Sequence, residues 1–318
     1  MNIAYRFRIY PTEEQKILLG KTFGCCRFLY NQMLNDKIRE YEKTKKMLKN
    51  TPAMYKKEYP FLKEIDSLAL ANVQLHLEKA YKNFFRDSKI GFPRFKSKHH
   101  SKNSYTTNVV NGNILVESKR IRLPKLKWIA MKKHREPAEG LRLKSVTVSM
   151  EPSGKYFASL LYEGYSCENQ AAGLDYSTAK ILGIDYAMQG MAVFSEKVET
   201  EEAGFFRKNE KRLAREQRKL SRCVRGSHNY ELQKKKVARC HEKIRNQRRD
   251  YLHKLSRKIA DSFDAVAVED IDMKAMGQCL HFGKSVQDNG YGMFREMLDY
   301  KLAWKGKKMV KVDRFFPS

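Results

Sequence analysis

Two short apolar runs, "ILGIDYA" and "AVAVED", each close on acid, and between them lies a long stretch of helical pattern. Asp185 ends the first run, Glu269 and Asp270 end the second, and adjacent strands of one sheet can bring such acids together. The wider stretch "ILGIDYAMQGMAVFSE" predicts a buried strand, a turn and a second strand that doubles back. An aspartate inside such an apolar hairpin is costly to bury unpaired. A divalent metal is the compensation that would also do chemistry. The competing reading is a turn residue that caps backbone N–H groups. "GLDYS" nearly copies "GIDYA" but lacks the apolar flanks of a central strand, so Asp175 reads as linker.

The intervening stretch, 205–260, holds 20 Lys or Arg against 5 Asp or Glu, and "RGSHN" breaks it into a helical hairpin. Charge so unbalanced repels itself unless an anion lies against it. Its candidate backbone-binding residues are Arg212, Arg215, Arg218, Lys219, Arg222, Arg245, Arg248, Arg249 and Lys254. The whole chain of 318 residues carries a formal charge of +28, which makes nucleic acid the expected partner. A membrane surface is the competing polyanion. However, no run of about 18 apolar residues occurs, and "MNIAYRFRIYPTEEQ" lacks a signal-peptide layout. The expectation is a cytosolic protein without a membrane partner. Its six cysteines form no C-x-x-C pair, which argues against a disulfide framework and against zinc.

Residues 1 to 10 alternate like a strand, and 11–104 are mostly helical, with Leu18, Leu19, Phe23, Phe28, Leu29 and Met33 on one side. The segment "GFPRFKSKHHSKNSY" is a basic connector. Arg94, Lys96, Lys98, His99, His100 and Lys102 stand beside Phe92, Phe95 and Tyr105, which suits either a solvated loop or a phosphate backbone with stacked bases. From 105 to 165 short alternating runs with the turn "EPSGKY" predict an antiparallel barrel or sandwich that the opening strand joins. A polar linker, 166–180, precedes the acid-bearing region.

Several segments resemble the TnpB family of transposon-encoded, RNA-guided DNA endonucleases. They include "YRFRIYPTEEQ", "FGCCRFLYNQML", "GFPRFKSK", "LPKLKW", "SVTVSMEPSGKYFASLL", "LGIDYAMQGMAVFS" and "VAVEDIDMKAM", in the family's order. The resemblance implies an α+β multidomain fold. An oligonucleotide-binding-type wedge barrel (1–10 and 105–165) carries an inserted helical recognition lobe (11–104). A RuvC-like domain of RNase H fold (181–318) follows, with the basic hairpin (205–262) inserted. It assigns Asp185 and Glu269 to the first two RuvC acids, with Mg²⁺ as their metal. It implies a guide RNA, one protein per guide, and a double-stranded DNA target with a short flanking motif, in a prokaryotic cytoplasm at the nucleoid. Motif readers would be Ser67, Leu68, Ala71, Asn72, Thr107 and Asn111. Asn72 and Asn111 suit adenine edges, and Leu68 or Ala71 a thymine methyl.

In the family a sequence like "FFPS" is followed by a four-cysteine zinc ribbon and a helix bearing the third catalytic aspartate, whereas this sequence stops at Ser318. Loss of a metal-binding acid costs several kcal/mol, about a thousandfold in rate. The expectation is therefore a zinc-free, nuclease-inactive, RNA-guided DNA-binding repressor. Two alternatives stand beside it: an active nuclease completed by Asp270 or Asp288, and a degenerate transposon protein that binds only its RNA.

Overall fold

The computed structural model describes residues 2–87, 89–164, 178–187, 191–200, 204–271 and 289–313. Asp175, Asp288, Cys167, Cys279 and the terminal "FFPS" lie outside the described residues. The chain divides into two compact units, Met1–Tyr165 and Ser166–Ser318.

The first unit opens with strand β1 (Ile3–Tyr10). Helices α1 (Glu13–Thr44), α2 (Pro52–Glu58) and α3 (Ser67–Arg86) come next. Six strands complete it: β2 (Asn103–Asn108), β3 (Leu115–Val116), β4 (Arg120–Leu123), β5 (Lys127–Lys132), β6 (Arg142–Met150) and β7 (Tyr156–Glu163). They form one antiparallel sheet in the order β2-β6-β7-β1-β5-β4-β3. Strand β1 lies between β7 and β5, so the opening residues sit centrally in a sheet otherwise built a hundred residues later. Among the described residues β2 and β3 end the ladder, the partly open form that oligonucleotide-binding barrels take. At "EPSGKY" Glu151 N donates to Lys155 O, and Gly154 supplies the positive φ of +83° that closes the β6–β7 hairpin.

Thr12 and Gln15 form a capping box that starts α1. The Gln15 amide also donates to the carbonyls of Leu126 and Trp128, tying the helix to the sheet at its first turn. Leu19, Phe23, Leu29 and Met33 of α1 and Leu70, Val73 and Leu77 of α3 are buried in one core with Phe7, Ile9, Val146 and Leu160 of the sheet.

The second unit contains β8 (Ile181–Ala187), β9 (Met191–Phe194), α4 (Phe205–Ser221), α5 (His228–Ser262), β10 (Ala265–Glu269), α6 (Tyr291–Trp304) and β11 (Lys308–Val312). The strand order is β11-β10-β8-β9, with β9 antiparallel to β8 and the other pairs parallel. Leu182, Ile184, Val266 and Val268 face a core shared with Leu252, Leu255 and Ile259 of α5 and Phe294 and Leu298 of α6. The end of α5 is fixed by Lys307, whose ammonium donates to the carbonyls of Ala260 and Phe263. A basic group there answers the unsatisfied carbonyls and the dipole of the helix end.

Candidate active site and nucleic-acid interface

Strand β8 alternates: Leu182, Ile184 and Tyr186 are buried, whereas Ile181 and Asp185 are exposed. The buried aspartate expected from the apolar sequence is thus corrected. The face of Leu182, Ile184 and Tyr186 is the buried one, and Asp185 stands on the open face with Ile181. In the parallel register Val268 pairs with Ile184, so Glu269 falls beside Asp185 on that face. Their carboxyl groups lie close enough for the charge of one to act on the other. Burial first, then the hydrogen bond and negative charge of Asp185, hold the Glu269 carboxyl above its usual range. Two neighbouring carboxylates, one with its pKa raised by burial and by the charge of the other, are a donor set suited to a hard divalent cation. The buried Tyr291 hydroxyl supports that fit. It has no hydrogen-bond partner among the described residues, and it lies close enough to sense the charge of both acids.

Asp270 does not join the pair, since Arg295 of α6 binds it at 2.9 Å. Among the described residues no cluster of three metal-binding side chains forms. The four described cysteines, Cys25, Cys26, Cys223 and Cys240, are free.

Helices α4 and α5 form the expected hairpin around a small core of Leu213, Cys240 and Ile244. Buried Gln233 donates to both the carbonyl and the carboxylate of Glu216 across it. Arg212, Arg215, Arg218, Lys219, Arg222, Arg245, Arg249 and Lys254 are exposed. Glu216 lies 3.6 Å from Arg215 and 3.8 Å from Lys219, and Asp250 lies 2.8 Å from Lys254. Arg248 differs: it is half-buried, and a Cβ on Gly290 would lie 3.0 Å from its Cδ, so its stem packs at the start of α6.

The motif-reading candidates separate in the same way. Ser67 is exposed and accepts from Lys56 Nζ at 2.8 Å, while Leu68 and Ala71 are half-buried. Asn72 is 6% exposed and spends an amide hydrogen on the Leu68 carbonyl at 2.9 Å. Thr107 is fully buried and donates to Asp66, the residue that caps α3. Free reading by Thr107 is therefore corrected to a structural role, because its hydroxyl fastens β2 to the helix cap. Asn111 is exposed in a turn with φ of +48°.

Arg94 and Lys98 are exposed, but Lys96 is embedded. Its backbone makes two hydrogen bonds with Asn31, its ammonium sits 3.8 Å over the Tyr30 ring, and burial lowers its pKa. Lys96 and Asn72 line a cleft of about 180 Å³ with Arg27, His76, Lys102 and Tyr105. Burial, then the charges of Lys96 and Lys79, hold His76 below its usual pKa. Arg27 and His76 escaped the sequence reading. Their signal was helical spacing: Arg27 lies four residues from Phe23, and His76 lies four residues from Asn72.

The acid pair on neighbouring parallel strands is thus joined in sequence by the basic helical hairpin. Comparison with known proteins is specific. Residues 165–279 match the family described as "Probable transposase", and residues 1–46 match a "Helix-turn-helix domain". Here those first residues form one strand and the whole of an unbroken 32-residue helix. The "Putative RNA-guided DNA endonuclease" of Streptomyces pristinaespiralis is 32% identical over 99% of this chain and 78% of its own length. The "Putative RNA-guided DNA endonuclease InsQ" of Escherichia coli K12 is 30% identical over 99% and 81%. A cryo-EM structure of the Cas12f1-sgRNA-target DNA complex has the same fold, with a TM-score of 0.56, 13% identity, and coverage of 98% of this chain and 89% of that one. The chain belongs to the TnpB family of RNA-guided DNA endonucleases.

This membership corrects the expectation of an inactive nuclease. Relatives matched across 99% of the chain are named as endonucleases. Among the described residues no helix is long and apolar enough to cross a membrane.

Proposed function

We propose that this protein binds a guide RNA, is directed by base pairing to double-stranded DNA, and presents a phosphodiester to a divalent-metal centre held by Asp185 and Glu269. The observation that carries this reading is the carboxyl pair on adjacent strands β8 and β10, joined by the basic α4–α5 hairpin. A bound Mg²⁺ would activate water and neutralise charge on the scissile phosphate. Asp185 and Glu269 place negative charge where the cation must sit, and the rigid parallel ladder fixes their spacing. The exposed arginines and lysines of the hairpin grip phosphates without reading sequence, which leaves recognition to the guide. Ser67, Leu68, Ala71 and Asn111, with Asn72 at the cleft wall, are the proposed contacts to a short motif beside the target.

The test uses the protein purified with its own RNA and a plasmid matched to that RNA. Cleavage is expected with Mg²⁺ and is lost in Asp185→Ala and Glu269→Gln, whereas guide-dependent binding in EDTA survives both changes. A protein carrying no discrete RNA, or cutting undiminished by Asp185→Ala, defeats the reading.

A further inference from the structure

The end of α3 and the connector after it expose aromatic surface that the core does not use. Phe85 is 69% exposed, Phe92 44% and Phe95 55%. Phenylalanine is among the residues most often buried, and Phe85 and Phe92, both open to solvent and both in ring contact with Tyr81 and Phe84, form a patch rather than scattered surface. The rings are mutually braced. Tyr81 and Phe85 stack with centroids 6.3 Å apart at 23°, Phe84 lies 5.2 Å from Phe85, and Phe92 meets Tyr81 and Phe84 edge-on at 5.5 and 5.4 Å. Buried Tyr81 anchors the group in the core. Phe85 is thereby held on a stack of rings while remaining open to solvent.

Charge selects the occupant. Lys82, Arg86, Lys89, Arg94 and Lys98, from the same stretch of chain, are all exposed. Asp87 is the one acid between Lys79 and Lys102, and its carboxylate is engaged with the Lys89 backbone N–H. A second copy of this chain would bring like charge against like charge. A polyanion with flat apolar faces is complementary to both features, which is the chemistry of unpaired nucleotides. Base-paired DNA hides those faces inside its stack, whereas unpaired RNA offers them in loops and single-stranded segments.

We propose that Phe85 and Phe92 form a stacking platform for unpaired bases of RNA, with the lysines and arginines of this stretch holding the flanking phosphates. The proposal rests on the guide-RNA reading and names the surface that engages the guide's single-stranded part.

The experiment is fluorescence anisotropy with full-length, RNA-stripped protein and three end-labelled probes: an unstructured 12-nucleotide RNA, DNA of the same sequence, and a blunt 12-base-pair duplex. About 0.5 M salt suppresses the phosphate contribution and leaves stacking. Because Phe85 is mostly exposed, Phe85→Ala is expected to fold normally, and circular dichroism checks this. It should weaken RNA binding at least about fivefold, the lower end of what one stacked base contributes. Duplex affinity should change less than about twofold, and Phe85→Trp should keep RNA affinity.

Unchanged RNA binding by Phe85→Ala, or an equal loss on the duplex, overturns the platform. So does a wild-type dimer that the substitution dissociates, because the patch would then be a self-association surface. Equal DNA and RNA affinity with the same loss overturns the assignment to RNA. Guide-directed binding to plasmid is scored separately, so its failure in the wild type counts against the function above and not against stacking.

Discussion

Glu269 is a residue whose cost and use point in opposite directions. With its carboxyl above the ordinary value of 4.5, the folded protein holds a proton more tightly than the unfolded chain does. Stability therefore falls as pH rises from that value through the raised one, and the cost of ionisation persists at neutral pH. Glu269→Gln is expected to melt higher than wild type in EDTA at about pH 7.5, by roughly 2–4 °C for each kcal/mol of repulsion removed, with the gap closing near pH 4. Mg²⁺ should raise the wild-type melting temperature and leave the variant unmoved, and thermal melts at both pH values check this. Thr107 makes the opposite trade. Thr107→Val removes the hydroxyl that meets buried Asp66 and is expected to cost about 1.5–3 kcal/mol in denaturant unfolding, without changing Mg²⁺ dependence. The acids were legible because a carboxylate closing an apolar run is an anomaly in sequence. Asp185's exposure was not, since alternation is hidden when both faces of a strand carry apolar residues. Thr107 was misread because its partner lies 41 positions away.

At the level of elements, the α4–α5 hairpin is short of core. Three buried residues and the Gln233–Glu216 hydrogen bonds hold two helices whose surfaces are densely cationic. Local stability follows buried apolar contact, so the distal part of the hairpin is expected to exchange amide hydrogens faster than β8, β10 and α6 in the free protein. Bound RNA should slow that exchange by screening the charge, and hydrogen-exchange mass spectrometry with and without RNA reads both effects. Gln233→Leu should speed hairpin exchange severalfold while leaving the sheet unchanged. Here the sequence spoke plainly, because "RGSHN" interrupts a long helical pattern and Gly226 takes a φ of +83° in the turn. That β1 joins the later sheet was also legible, as an alternating run with no strand beside it to pair with locally, whereas its place between β7 and β5 was not. The bracing of Phe85 was not, because a helical phenylalanine normally signals core.

For the whole molecule, a charge of +28 on 318 residues sets the terms of association. Affinity for nucleic acid is expected to fall steeply with salt, about tenfold or more between 50 and 200 mM for each few phosphates engaged. Replacing Arg212, Arg218 and Arg222 together with Gln should reduce the slope of log Kd against log salt by about three while leaving guide-directed sequence preference intact. Titrations over a salt series test this, and an unchanged slope places those arginines away from phosphate. Sequence alone showed the amount of charge but not its sorting. Arg248 and Lys96 belong to the same basic runs as their neighbours, yet packing against Gly290 and Tyr30 withdraws them from solvent.

Helix α5 has 35 residues without glycine or proline, about 52 Å of uninterrupted rod. One end is the hairpin tip, and the other, Ser262, leads into β10 at Ala265. That lower end is clamped from two sides, by Lys307 on its last carbonyls and by mutual hydrogen bonds between Lys180 and Asp264 at the start of β8. Fixed at its foot and packed on the sheet through Leu252, Leu255 and Ile259, the rod makes its basic tip a rigid extension of the acid-bearing unit.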